Sequence, residues 1–454
     1  MRLIPGYVRL LPFLWFVSSA RAAEMPRLEL PELSPNEARY AAEFERGAGL
    51  YRERKFEEAL VVFAAIEAKA PECAAAQFCV GATLGATGRY DDAAAKLTKV
   101  IEAHPGYPVC FAYRAWVYML QEKWESALPD LDVCLKLRGG NRWCLLARGW
   151  CRLESSNIHE TLNKYWEEHA GDTKALENYR VENASVEAAL KDFDSVLELT
   201  MGDTDALIGK ALGLAMKGDR KGARDALWDL DDGEERSPRI AEREVRVYQY
   251  LRDAEGATVR ARALVERDPT NINSWSLLAR ASSRLQEVSE EAVHRNPLNP
   301  GAHLWRGMCV AYVDLDMAHE EILKTRELDR AGFGARLDWL QQEAAREPFS
   351  GIAGYRLRLL LAVAISGTGD PARARAYLER EEFRLCLDRE LIWVRMRIDA
   401  DEGKFNEAVA RLDENFDKIP RILERTRLIE TLPSLHGLAK SQEYRDWKFP
   451  QGQK

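Results

Sequence analysis

Five residue types return along this chain at a fixed interval, and that interval limits what it can fold into. Gly47, Phe56, Ala59, Phe63 and Pro71 recur 34 positions later as Gly81, Tyr90, Ala93, Leu97 and Pro105. After a further 34 positions stand Ala115, Trp124, Ala127, Leu131 and Gly139. A unit this short cannot bury its own apolar face, so its copies must stack on one another. Within each unit the apolar residues follow helical spacing, which predicts two antiparallel helices, A and B. The small residues let the two backbones approach, and the large ones fill the groove beside them, with axes about 8–10 Å apart. Proline ends helix B because it cannot extend the hydrogen-bond ladder.

The pattern resembles the tetratricopeptide repeat, with a small residue at position 8, an aromatic at 17, alanine at 20, a large apolar residue at 24 and proline at 32. The resemblance implies an all-α fold, a right-handed superhelical solenoid of antiparallel helix hairpins. The fourth A helix, NRWCLLARGWCRLE, is read with Ala147 and Trp150 in register. Its B helix resumes only at Ala189, Phe193 and Val196, which implies an insertion of about 30 residues, roughly 155–185. Ala211, Leu214, Gly218, Ala223 and Leu227 mark a fifth unit, and Tyr248, Ala257, Leu264 and Pro269 a sixth. The organisation expected is repeats over 40–236, degenerate helical repeats over 237–354, and repeats again over 355–454. Ala362, Ile365, Gly369, Ala374 and Leu378 carry the register there, followed by Gly403, Phe405, Ala408, Leu412 and Pro420. A capping helix is expected over Arg421–Ala439. On this reading about nine hairpins share one continuous core.

The first 22 residues read as an export signal: Arg2 and Arg9, the apolar run LLPFLWFV, then Ala20-Arg21-Ala22 before Ala23. Residues 23–39 form a proline-rich lead. Cleavage before Ala23 makes the chain periplasmic or extracellular and removes three arginines, taking the net charge from −8 to −11. An uncleaved N-terminal anchor is the competing reading. No integral membrane segment is expected after cleavage, because no later run reaches the roughly 20 residues a bilayer requires. An acidic body also argues against nucleic acid as a ligand, since phosphate binding needs clustered positive charge.

Catalysis needs convergent groups, and the sequence offers no such spacing. His159-Glu160 and His319-Glu320 lack a second histidine four residues on, and there is no phosphate loop, nucleophile elbow or C-x-x-C pair. The expectation is no enzyme, no cofactor and no metal. Six of the eight cysteines fall between Cys73 and Cys151. They are read either as small apolar packers or as partners in a disulfide. Cys79, Cys110 and Cys144 stand at one level on successive A helices, where a link between neighbours is conceivable.

What remains is a surface. In tetratricopeptide arrays positions 2, 5, 9, 12 and 13 of helix A line the concave groove. The resemblance therefore implies a partner-binding groove with Phe44, Tyr51, Phe78, Trp116 and Met119, turning basic at Arg148 and Arg152. The lysines and asparagines with which family members clamp a carboxylate are replaced here by Phe44, Ala48, Phe78 and Ala82. An aromatic groove suits instead a peptide with apolar anchors. The function expected is an exported, non-catalytic scaffold for a protein or peptide. On this reading, alanine at Phe78 and Trp116 weakens capture without unfolding the array. The alternatives are a self-assembling structural protein, hence a homo-oligomer, and an enzyme or small-ligand binder with its site in residues 270–350.

Overall fold

The structure is a computed structural model. It describes residues 25–26, 28, 38–169, 172, 179–228, 230, 238–311, 314–346, 352–367, 369–379, 389–414, 429–430 and 435–448. The export signal therefore lies outside the described residues. Those residues form helices and turns with no strand among them, and contacts divide the chain into two compact units that meet in sequence at Ala261 and Arg262.

In the first unit, hairpins follow one another along the chain. They are α1 (Ala41–Arg52) with α2 (Phe56–Lys69), α3 (Ala74–Ala86) with α4 (Tyr90–Ala103), and α5 (Pro108–Leu120) with α6 (Trp124–Leu137). Then come α7 (Arg142–Glu154), α8 (Ile158–Glu168) and α9 (Ala184–Leu199), where α9 packs on α7 and α8 is the inserted element. The unit continues through α10 (Thr204–Lys217), α11 (Arg220–Trp228), α12 (Pro238–Tyr250) and the start of α13 (Ala254–Arg267). Except in the fourth hairpin, where the insertion intervenes, the turn from A to B places its residue in the left-handed region at the same point: Arg54, Gly88, Glu122, Gly218 and Arg252.

The close approach predicted at the small residues is seen directly. A Cβ on Gly47 would fall 2.5 Å from the Phe63 ring, and one on Gly81 would fall 3.0 Å from Leu97. In the fourth hairpin this place belongs to Gly149, whose added Cβ would meet the Phe193 ring at 2.8 Å. Gly47, Gly81, Ala115 and Gly149 are evenly spaced, so the fourth unit is in step with the first three. The reading that put Ala147 at this position was two residues out of register.

The insertion packs on its own array. Ile158 and Leu162 are buried with Leu153 and Tyr179 in one cluster. Further on, the Val181 amide donates to the Lys217 carbonyl at 3.1 Å. A Cβ on Gly218 would sit 2.1 Å from the Tyr179 carbonyl oxygen. With φ at +87°, this is a position that glycine alone fills without strain.

The second unit contains α14 (Ile272–Ser282), α15 (Leu285–Arg295), α16 (Pro300–Val310), α17 (Leu315–Leu328), α18 (Phe333–Arg346), α19 (Ile352–Gly367) and α20 (Pro371–Leu378). It ends with α21 (Arg389–Asp401), α22 (Phe405–Glu414), α23 (His436–Lys440) and α24 (Gln442–Lys448). Residues 272–328, where the consensus loosens, still form two hairpins with side-chain caps at Asn271, Asn299 and Asp314. The capping helix expected over Arg421–Ala439 falls largely outside the described residues, and α24 covers α22 with Tyr444 buried against it. Among the described residues, buried side chains cluster along each unit, and Leu135 packs against both clusters of the first.

The seven described cysteines are buried and unlinked. Burial pushes the Cys79 thiol up, and Cys110 up to about 12, so neither offers a thiolate near neutral pH. The neighbouring pair is Cys134 on α6 and Cys144 on α7, sulfurs 2.7 Å apart, and not two A-helix residues. Mild oxidation during refolding is expected to join these two. Peptide mapping without reductant should give one cross-linked fragment containing both, and a Cys79–Cys110 fragment in its place would contradict this.

Candidate functional site

The A helices α1, α3, α5, α7, α10 and α12 present one face of the first unit, and the sequence-predicted groove residues divide on it. Phe44, Tyr51, Phe78, Trp116 and Met119 are on this face and are all buried, none more than 4 % exposed. Their burial has identifiable causes. Phe44 lies 6.3 Å from the Phe63 ring of its own hairpin. Phe78, Tyr113 and Trp116 form an edge-to-face chain with centroids 5.2 and 5.8 Å apart. The proline-rich lead adds a cover: Pro26 is buried, and Met25 and Leu28 pack against the same cluster. The Tyr51 hydroxyl donates to Met25 Sδ at 3.0 Å, and the Tyr113 hydroxyl to the Pro26 carbonyl at 2.9 Å. Alanine at Phe78 or Trp116 would therefore excavate a core and could not test partner capture alone.

Arg148 and Arg152 are not on this face with them. Both reach the buried carboxylate of Asp192 on α9, at 2.6 and 2.5 Å, and Arg148 also reaches Asp132 on α6 at 2.7 Å. Arg114 makes the equivalent pair with Asp130 one hairpin earlier. These arginines bind helix A to helix B, so the basic end of the predicted groove is absent. The cause is the register error: with Gly149 at position 8, the face-lining residues become Trp143, Leu146 and Trp150.

Those three residues do line a cleft, together with Met119, Ala147, Asp205, Arg239 and Arg243, enclosing about 20 Å³. That is room for one water molecule. Its floor is charged. Asp205 accepts from Arg243 at 2.6 Å, from Arg239 at 2.9 Å and from the Trp150 indole at 3.1 Å. The Arg243 guanidinium lies 3.6 Å from the Trp150 ring centroid, a cation–π contact that is strong when desolvated. Burial would raise the Asp205 carboxyl, but Arg243 and Arg239 outweigh it and hold the group below the usual carboxylate range. Sequence reading missed Asp205 and Arg239, although they stand at the same position of successive A helices.

In the second unit, His303 shares a 2.6 Å contact with Glu321, and its other ring nitrogen faces the Pro297 carbonyl at 3.0 Å. His319 is fully buried, and burial with Arg397 nearby keeps it neutral, well below the usual histidine range. Among the described residues no group of three or more histidine, cysteine, aspartate or glutamate side chains is placed to hold a metal ion. No described helix is long and apolar enough to cross a membrane.

No family model matches the chain. A curated relative, tetratricopeptide repeat protein 36 of Caenorhabditis elegans, is 42% identical over 59 residues. The match takes in 13% of this chain and spans about a third, 33%, of that relative. Among solved structures, a tetratricopeptide repeat protein from Parabacteroides merdae is 15% identical, with a TM-score of 0.34, over 53% of this chain and 98% of that one. The P58(IPK) TPR domain is 15% identical with a TM-score of 0.25, over 90% of this chain and 99% of that one. With hairpins in 34-residue step and glycines packed at the helix contacts, the described residues have the fold of a tetratricopeptide-like array of antiparallel helix hairpins. Such arrays present extended surfaces for protein interaction.

Proposed function

We propose that this chain is an exported, non-catalytic scaffold that binds a protein or peptide partner on the A-helix face of residues 41–250. One observation supports this most: the half-buried Trp143 borders a cleft with Leu146, Trp150 and Met119 in its lining, and the charged floor pairs Asp205 with both Arg239 and Arg243. A floor satisfied in this way leaves apolar and aromatic walls to make contact, and these are the residue types that dominate interface centres.

Trp143 is half-buried and borders the cleft, so it can be altered without emptying a core. A photo-crosslinking amino acid at position 143, activated in cells that make the full chain, is expected to trap a discrete partner band. Trp143→Glu should reduce recovery of that partner with the full chain at least tenfold while the helical circular dichroism spectrum is unchanged. Equal recovery with and without Trp143→Glu would remove the cleft from the interaction. Trapping only of a second copy of this chain would favour the self-assembling alternative.

A further inference from the structure

Met25, Pro26 and Leu28 sit on the face of α1, α3 and α5 as a peptide ligand would. Pro26 is buried, and Met25 and Leu28 are half-buried against the cluster containing Phe44, Phe78 and Trp116. Two tyrosines, each about 1 % exposed, hold the segment: Tyr51 donates to the Met25 thioether and Tyr113 to the Pro26 carbonyl. The chemistry of this place is specific. A helix face has already committed its backbone carbonyls to the helical ladder, so a peptide N–H laid on it and buried has no acceptor. Proline carries no N–H, and its carbonyl is satisfied by a tyrosine hydroxyl. A thioether fits an irregular aromatic surface and accepts a weak hydrogen bond. Hence the face suits an extended methionine–proline segment with leucine two residues on.

We propose that α1, α3 and α5 form a binding site for extended Met-Pro-x-Leu peptides, which the chain's own residues 25–28 occupy in cis. The inference rests on the reading of the A-helix face as an interaction surface and names the ligand for its first three repeats. A tethered occupant acts at high effective concentration, so the same peptide supplied in trans binds weakly until the tether is unseated.

The test uses the full chain and a fluorescein-labelled peptide with the sequence of residues 23–32, followed by fluorescence anisotropy. The double variant Met25→Asp/Leu28→Asp, which unseats the segment, is expected to bind the peptide at least tenfold more tightly than the unaltered chain. Adding Tyr113→Phe should weaken that binding about fivefold, the loss of one hydrogen bond. A peptide with aspartate at its methionine and leucine should not compete. Equal binding by the two chains, or no binding by a double variant that keeps its helical spectrum, overturns the proposal. Should the double variant not fold, a photo-crosslinker at position 25 of the otherwise unaltered chain decides. Linkage to α1, α3 or α5 within the same chain supports the proposal, and linkage elsewhere or none overturns it. The outcome is separable from the scaffold reading: lost peptide binding with trapping retained at position 143 sinks the Met-Pro-x-Leu site alone.

Discussion

Asp205→Ala is expected to destabilise the first unit by about 3–5 kcal/mol, because it strands buried guanidinium charge instead of merely deleting a contact. The Asp205 carboxylate receives Arg239, Arg243 and the Trp150 indole at once, and Arg243 and Asp205 are each 5 % exposed. Burial pulls the Arg243 guanidinium down to about 10 even with Asp205 opposing the shift. Without the carboxylate that charge loses the largest interaction opposing its burial, with the face of Trp150 still beside it. Asp205→Leu combined with Arg243→Met should cost less than Asp205→Ala alone, since the pair is then replaced by apolar volume. Hydrogen exchange on α7, α10 and α12 is the suitable readout, because long repeat arrays do not always unfold in one step. Equal costs for the single and double variants would show that packing, and not charge, governs the site. The pH dependence follows from the lowered Asp205 carboxyl. Its contribution is fully present above the ordinary aspartate range, about pH 4, and fades as pH falls through the lower folded value. Protection of these helices should therefore decline in acid in the unaltered chain, and much less in the double variant.

The hairpins were legible because backbone approach demands small residues at fixed intervals, and Gly47 on Phe63 and Gly81 on Leu97 meet that demand. Two parts of the candidate site were not. In the fourth unit Ala147 and Gly149 are both small, and the insertion removes the B-helix landmark that would have chosen between them. Two residues of slip turn a helix by more than half a revolution, enough to exchange Arg148 for Trp150 as a face-lining residue. The burial of Phe78 and Trp116 was hidden for another reason. A helical period identifies which face is apolar, but not what covers it, and Met25–Leu28 lies in a stretch that has no period.

The second large effect is expected at Phe193, whose ring is the wedge that sets the spacing of three helices. It enters from α9 between Gly149 on α7 and Gly209 on α10, where added Cβ atoms would fall 2.8 and 2.5 Å from the ring. Trp150 closes one side at 5.5 Å, and no part of Phe193 is exposed. Phe193→Ala should cost about 3–5 kcal/mol, the range for emptying an aromatic site in a core that relaxes only partly. Gly149→Ala and Gly209→Ala should each cost about 1–3 kcal/mol by overpacking, despite alanine's better helix propensity. The three changes share one space, so their effects should not add. With Phe193→Leu in place, as leucine stands at the matching position 97, Gly209→Ala should become neutral or stabilising. Leucine withdraws the ring edge that the new methyl would strike, and alanine then restores about 1 kcal/mol of helix propensity. Hydrogen exchange on α7, α9 and α10 in the four chains measures the coupling. Additive costs for Phe193→Leu and Gly209→Ala would mean that α9 and α10 take their spacing from residues other than this ring.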